Sequence, residues 1–159
     1  MSKKTKVKKT LVEQILTKAG IDHKGIQLNA LEGELPQGYQ QEQIFKTLAL
    51  TGDKTGPIIG ILPITEHLSE KKLAKISGNK KVNMIPQKNL EKTTGYIHGA
   101  NNPVGIRQKH HFPIYIDERA LELTEMIVSA GEVGHSIIIS PQSLANFVQA
   151  SFADILERK

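Results

Sequence analysis

The segment Thr51-Gly52-Asp53-Lys54-Thr55-Gly56 lies between two apolar runs, Thr47–Thr51 leading in and Pro57–Ile64 leading out. Two strand-length runs joined by a short stretch of Gly, Asp and Thr predict a β-hairpin. A chain with that hairpin in its first half must be built around a sheet. The same six residues bear a faint likeness to a phosphate loop. That loop needs Gly-x-x-x-x-Gly-Lys-Ser/Thr opening a helix. Here Lys54 and Thr55 fall between the glycines and a strand follows.

Elements of both kinds flank the hairpin. Thr10 caps a helix with Leu11, Ile15 and Leu16 at helical spacing and Gly20 closing it. Residues 26–31 alternate weakly as a strand, and 40–46 read as a short helix. Ser69 caps a further helix, with Leu73 and Ile76 inward and Gly78 as its stop. A strand is expected over 81–85, a helix over 87–93, and strands over 113–116, 126–129 and 136–140, with Gly131 and Gly134 turning between the last two. Residues 94–106 hold three glycines, two asparagines and a proline, so they read as a long structured loop. The chain closes with a helix from Pro141, capped by Ser140, whose apolar stripe runs from Leu144 through Phe147, Val148, Phe152, Ile155 and Leu156. About six strands and four helices without strict alternation imply an α/β (α+β mixed) fold, a mixed or partly barrel-like sheet flanked by helices.

The 159 residues are enough for one domain with its own core. The absence of cysteine excludes a disulfide scaffold, a thiolate zinc site, an iron–sulfur cluster and a cysteine nucleophile. No apolar run approaches the roughly 18 residues of a membrane span, and no apolar core follows the charged N-terminus, so a cytoplasmic protein is expected. The net charge is +5, and its layout matters more than its size. Five lysines fall in residues 1–9, a basic tail expected to be flexible, which leaves residues 10–159 as the folded part with balanced charge. From Lys71 to Lys109 there are nine basic residues against Glu91 alone, and from Asp117 to Glu157 seven acids against Arg119 alone. A basic tail and stripe attract phosphates; a solvated lysine-rich surface has the same composition. Lys71, Lys72, Lys80, Lys81, Arg107 and Lys109 are the candidates for nucleic-acid contact.

Three features could carry chemistry. Lys46 stands alone in the apolar run Ile44-Phe45-Lys46-Thr47-Leu48, where it either snorkels to solvent or serves a cleft. The loop after Thr94 can offer backbone N–H groups to an oxyanion or phosphate, or be plain surface. His135 follows Gly134 at a turn-to-strand junction, where it is either aimed into a pocket or merely packed. The six histidines lack metal-ligand spacing, and no Gly-x-Ser-x-Gly elbow occurs. With four Phe, three Tyr and no Trp, no aromatic platform for single-stranded RNA is apparent.

Taken together, Phe45-Lys46-Thr47-Leu48, Thr94-Gly-Tyr-Ile-His-Gly-Ala-Asn-Asn-Pro-Val-Gly105, Ile114-Tyr-Ile-Asp117, Ile127-Val-Ser-Ala-Gly131 and a terminal helix from Leu144 to Ile155 resemble the YbaK/EbsC family of free-standing aminoacyl-tRNA deacylases. The likeness runs from about Thr10 to Arg158 and extends, more distantly, to the editing domain of bacterial prolyl-tRNA synthetases. It implies that Lys46, Gly99 and His135 are catalytic. It implies that Thr47, His98, Ala100, Asn101, Asn102, Pro103, Ser129 and Ser136 meet the substrate. No metal or cofactor is implied. The implied reaction removes a wrongly attached amino acid, cysteine ahead of alanine, from proline tRNA, with the substrate thiol attacking its own ester in the cysteine branch. Prolyl-tRNA synthetase is the implied partner, and the protein a monomer or weak homo-oligomer. Ser136 stands where many cysteine-specific relatives carry an acid, and Gly131–His135 is closer to the synthetase editing domain. Thr47 differs from the asparagine of alanine-specific relatives. A non-catalytic tRNA- or synthetase-binding module of the same fold is the alternative.

Overall fold

The protein is described by a computed structural model over residues 9–28, 35 and 37–158. The lysines at positions 3, 4, 6 and 8, and the part of the expected first strand from residue 29 on, lie outside the described residues. Helix α1 (Leu11–Lys18) begins where expected. Thr10 and Glu13 form a reciprocal capping box, and Gly20 at φ 75° follows the helix end. Strand β1 (Lys24–Gln27) is shorter than the expected one. Residues 40–46 are not a helix. A single 3-10 turn, Gln41–Gln43, leads directly into strand β2 (Phe45–Gly52), which places Lys46 on a strand. The β-branched and aromatic residues from Ile44 to Thr47 favour a pleated, half-buried surface over a helix.

β2 and β3 (Gly56–Pro63) form the expected hairpin, paired from Phe45↔Pro63 to Gly52↔Gly56. Its turn is not a phosphate site. The N–H groups of Lys54 and Thr55 both donate to Asn79 Oδ1, at 2.7 and 3.0 Å, so no anion is needed to satisfy them. Asn79 lies flat over Gly52, where any Cβ would collide with its amide. In return, Asp53 Oδ1 accepts from the N–H groups of Lys80 and Lys81.

Helix α2 (Glu70–Ser77) is capped by Ser69 and ended by Gly78 at φ 80°. Leu73 and Ala74 face inward, whereas Ile76, expected inward, is 40% exposed. Strand β4 (Val82–Met84) and helix α3 (Gln87–Thr94) follow. The expected long loop is partly a helix, α4 (Pro103–Lys109). Asn102 caps it by accepting from Gly105 N at 2.6 Å, and Pro103 supplies a helical φ at its first position. Gly105 is needed because the Tyr96 phenol occupies the space a Cβ would take. Strands β5 (Ile114–Asp117), β6 (Met126–Glu132) and β7 (His135–Ile139) and helix α5 (Pro141–Val148) come next, with a 3-10 turn at Glu118–Glu122.

The expected terminal helix through Leu156 stops at Val148. Gln149 turns left-handed at φ 60°, and Ser151–Ala153 forms strand β8 beside β5. The apolar residues beyond the turn reach the core by another route. Phe152 packs on the main cluster, and Ile155 and Leu156 fill a second cluster with Leu50, Ile58, Leu62 and Leu73. Burying each such side chain is worth about 1.5–3 kcal/mol, enough to override a helical pattern that merely continues in register.

Two sheets result. One has the order β4-β2-β3-β5-β8, antiparallel on the β4-β2-β3 side and parallel across β3-β5-β8; the other is antiparallel, β1-β7-β6. The mixed character matches the expectation. The barrel-like curl is partial: the sheets touch where Ile44 bridges Ile127 in parallel, and they do not close. The main core, including Val12, Phe45, Ile61, Ile106, Val128 and Leu144, lies between the sheets and helices α1, α4 and α5. A third cluster of Leu28, Ile44, Ile127 and Ile138 covers the outer face of the seam.

Candidate active site

The seam is where the candidate residues gather. Side chains alternate faces along a strand, so two residues past the Ile44↔Ile127 bridge the same outer face carries Lys46 on β2 and Ser129 on β6. Ser129 is paired with Ser136 on β7, two residues before Ile138. Lys46, Ser129 and Ser136 therefore extend an apolar floor of Ile44, Ile127 and Ile138 into a polar row across three strands. Ser136 is 7% exposed, and its hydroxyl donates to the carbonyl of Leu28 at 3.5 Å. Lys46 is half-buried. Burial pushes its ammonium below the usual lysine range, and the Glu66 carboxylate opposes that shift.

The loop between α3 and α4 closes over the seam. Ser129 Oγ donates to Gly99 O at 3.4 Å, and Asn101 Nδ2 donates to Thr47 O at 3.3 Å, so the loop is tied to both strands. Gly99 sits at φ 90° on the exposed rim, a conformation that strains any residue with a Cβ. The Ala100 N–H is used by Ile97 O, whereas Gly99 N–H donates to no group among the described residues. Gly99 thus meets the Lys46–Ser129 face through its carbonyl and keeps an N–H without a partner among the described residues.

Not every candidate joins this group. Asn102 is fully buried, with its amide spent on Gly105 N and Ala100 O, so it builds the loop rather than meeting a ligand. Ala100 and Pro103 are buried beneath it, and His98 is exposed on the turn. Thr47 points to the face opposite Lys46. Its Oγ1 and Asn101 Oδ1 are buried without a hydrogen-bond partner. His135 pairs with Gln27 and Glu132 at the start of β7. As the neighbour of Ser136 it projects from the other face of the sheet, away from Lys46. Two residues outside the candidate list bear on the site: Glu66, in the turn after β3, through its charge acting on Lys46, and Val133, whose methyl would lie 3.5 Å from a Cβ on Gly99. Val133 falls within the Gly131–His135 segment of the family resemblance, whereas Glu66 carried no motif.

The basic stripe divides into two groups. Lys71, Lys80 and Lys81 are exposed around α2 and the turn to β4, while Lys72 is engaged by Asp154 at 2.9 Å. Arg107 and Lys109 lie on α4 beside the Gly99 loop, and Lys109 stands over the Tyr96 ring at 5.3 Å.

Residues 33–147, more than half of the chain, match the model of the aminoacyl-tRNA editing domain. The chain belongs to the aminoacyl-tRNA editing domain family. A protein of Enterococcus faecalis named "Putative Cys-tRNA(Pro)/Cys-tRNA(Cys) deacylase EbsC" is 43% identical to this editing domain over 122 residues, 77% of this chain and 73% of that one. A scaffold protein solved in work on grafting linear epitopes superposes with a TM-score of 0.81 at 26% identity, covering 93% of this chain and 96% of its own. A structure described as "a putative trans-editing enzyme for prolyl tRNA synthetase" shares the fold at a TM-score of 0.77 and 22% identity, over 92% of this chain and 95% of its own. The resemblance drawn from Lys46 and the Gly99–Pro103 loop is borne out by these matches.

Proposed function

We propose that this editing domain acts in trans as a deacylase that removes a wrongly attached amino acid, cysteine before alanine, from proline tRNA. The observation that carries this reading is the shared face of Lys46, Ser129 and Ser136, to which the Gly99 loop is tied through Ser129 Oγ. An aminoacyl ester is already activated, so the site must chiefly place the ester and stabilise the developing oxyanion. Gly99 N–H is the donor for that oxyanion. The Lys46 ammonium holds the anionic 3′-terminal nucleotide. Ser129, half-buried on the same face as Lys46, is the polar side chain offered to a small, weakly polar group of the substrate.

Cysteine fits this site because it brings its own nucleophile. Its thiolate attacks the ester carbonyl carbon, a carbon–sulfur bond forms, the bond to the ribose oxygen breaks, and that oxygen takes up a proton. No protein base needs to stand beside the ester, which agrees with His135 lying on the far face of the sheet. The same name on the Enterococcus relative supports cysteine as the first substrate to try. The basic groups flanking the loop favour weak, salt-sensitive tRNA binding with little selectivity, so selectivity for proline tRNA comes from a partner, prolyl-tRNA synthetase.

Purified protein offered Cys-, Ser-, Ala- and Pro-charged proline tRNA tests this reading. The cysteine ester should be lost fastest, and the serine ester should persist because an alcohol is far less ionised than a thiol. Lys46→Ala should lower kcat/KM on the cysteine ester at least roughly tenfold, about 1.4 kcal/mol of transition-state stabilisation. Faster loss of alanine than cysteine would reassign the substrate and require an attacking water. No loss of any ester above background would leave a binding module instead of an enzyme.

A further inference from the structure

Helix α2 lies on the same face of the hairpin as Lys46. Side chains alternate along β2, so Lys46, Leu48 and Leu50 share a face. Leu50 packs in one cluster with Ile58, Leu62 and the α2 residues Leu73 and Ala74, and Leu48 packs against it. Leu62 is itself the cross-strand partner of Lys46. The opposite face, with Phe45 and Ala49, meets the main core and, through Leu90, helix α3. α2 thus roofs the inner part of the face whose open end carries Lys46.

The surface of α2 and of the turn beyond it is basic. Lys71 and Lys75, four residues apart on the helix, are exposed, while Leu73 and Ala74 face inward. After Gly78 the chain meets the hairpin turn. Asn79 Oδ1 accepts from the N–H groups of Lys54 and Thr55, and Asp53 Oδ1 accepts from those of Lys80 and Lys81. These bonds bring the exposed residues Lys54, Lys80 and Lys81 onto two interlocked turns. Residues 53–56 and 71–81 contain six lysines and Asp53 as their single acid. Lys72 alone of the six forms an ion pair among the described residues, with Asp154. Asp53 offsets one of the remaining charges at most. Along β2, the distance from Lys46 to the turn at Gly52 is about 20 Å.

We propose that Lys54, Lys71, Lys75, Lys80 and Lys81 form a second contact surface for tRNA, which takes phosphates of the double-stranded acceptor stem while the single-stranded 3′ end reaches Lys46. The inference rests on the deacylase reading for what lies at Lys46 and on the charge layout for the stem. Double-stranded RNA is held mainly through its shape and its sugar–phosphate surface. Each lysine that neutralises a phosphate releases counterions, so the contact is strong at low salt and carries no sequence preference. The locked turns fix the backbone that bears Lys54, Lys80 and Lys81, so little ordering of the chain opposes binding. Helix α3 offers a matched contrast. Its Lys88 and Lys92 are also exposed and four residues apart, but α3 packs against the opposite face of β2.

The experiment compares wild type, Lys80→Ala/Lys81→Ala and Lys88→Ala/Lys92→Ala, two variants that lose the same charge. The hairpin lock uses the backbone N–H groups of Lys80 and Lys81, so it survives the first pair of substitutions. Binding of unacylated proline tRNA is measured from about 0.05 to about 0.2 M salt. In Lys80→Ala/Lys81→Ala, affinity should fall roughly tenfold at the low-salt end, and the slope of log K against log salt should become shallower by about 1.5–2. The α3 variant should change both far less. A stem-loop of the acceptor stem with its 3′ end should keep the full difference, and a single-stranded oligonucleotide of the 3′ end should show none. On the cysteine ester of tRNA, Lys80→Ala/Lys81→Ala should raise KM and hold kcat, while a cysteine ester of the terminal adenosine alone is cleaved equally by all three proteins. Unchanged affinity and slope overturn the proposal. So does an equal loss in the α3 variant, which makes the effect one of net charge, or an equal loss on the oligonucleotide, which removes the stem. The expected binding losses in a protein that cleaves no ester sink only the deacylase reading.

Discussion

Two glycine-rich turns in this editing domain look alike in sequence and are opposite in chemistry. The hairpin turn between Gly52 and Gly56 and the loop around Gly99 each rely on an asparagine and on a glycine at positive φ. In the hairpin, Asn79 takes up the free N–H groups of Lys54 and Thr55 and donates to Thr55 Oγ1 and Ser77 Oγ. In the loop, Asn102 turns inward to cap α4, and Gly99 N–H has no partner among the described residues. A turn becomes a lock when its donors are satisfied from within the chain, and a candidate site when one is left for a ligand. Glycine content alone does not separate the two.

The largest expected effect is on the lock. Asn79→Ala removes four hydrogen bonds from a residue 8% exposed, leaving N–H groups without partners, and should cost about 3 kcal/mol in urea unfolding. The folded fraction should retain its deacylase rate. A rate loss larger than the loss of folded protein would show that the hairpin also serves the site and would break the comparison.

Gly99→Val should do the reverse. A Cβ there meets only Val133, at 3.5 Å, so space is available and the strain is in the backbone. Holding a valine in the left-handed region costs about 1–2 kcal/mol, and relaxing out of it moves the Gly99 N–H. Deacylation should fall roughly tenfold while stability falls by no more than about 1–2 kcal/mol, less than for Asn79→Ala. Normal turnover would make the loop an ordinary surface.

Asn101→Ala sharpens the contrast between the two asparagines. Asn101 makes one long hydrogen bond to Thr47 O and carries an unpartnered buried oxygen. Its removal should therefore change stability by less than about 1 kcal/mol, against about three for Asn79. A loss as large as that of Asn79 would make the loop a lock as well.

The smallest effect is an acid one. The Asp53 carboxylate is held below the usual range first by the backbone N–H of Lys81 and further by that of Lys80. Its folded pKa is depressed, so its contribution is present above the unfolded pKa and fades as pH falls through the folded value. The protection of the Lys80 and Lys81 amides, taken relative to their intrinsic exchange rates, should fall at acid pH in the wild type. In Asp53→Asn that pH dependence should be lost. The Gly99 loop, which has no carboxylate of this kind among its hydrogen bonds within the described residues, should show no such acid limb.

Short-range signals in the chain decided a good deal. Thr10, Ser69 and Ser140 each cap the helix expected of them, because a cap needs only a side-chain oxygen and an N–H three residues on. The hairpin follows from its turn chemistry, and Lys46 stands out because a lone charge in an apolar run is visible without a fold. The motif of Lys46 with Gly99–Pro103 was enough to point to the editing domain family. Tertiary structure decided what those residues face. Whether Lys46 shares a surface with Ser129 and Ser136 depends on the register of β2 against β6, two strands about eighty residues apart, and one residue of slip would reverse it. The same alternation put Ser136 on the site and its neighbour His135 behind it. The turn at Gln149 and the pairing of β8 with β5 ended a helix whose apolar pattern ran on, since a waiting strand edge and a second core offered Ile155 and Leu156 a better burial. The ion pair of Glu66 with Arg119 had no local signature either, because it depends on the turn that follows β3 and on a partner 53 residues away.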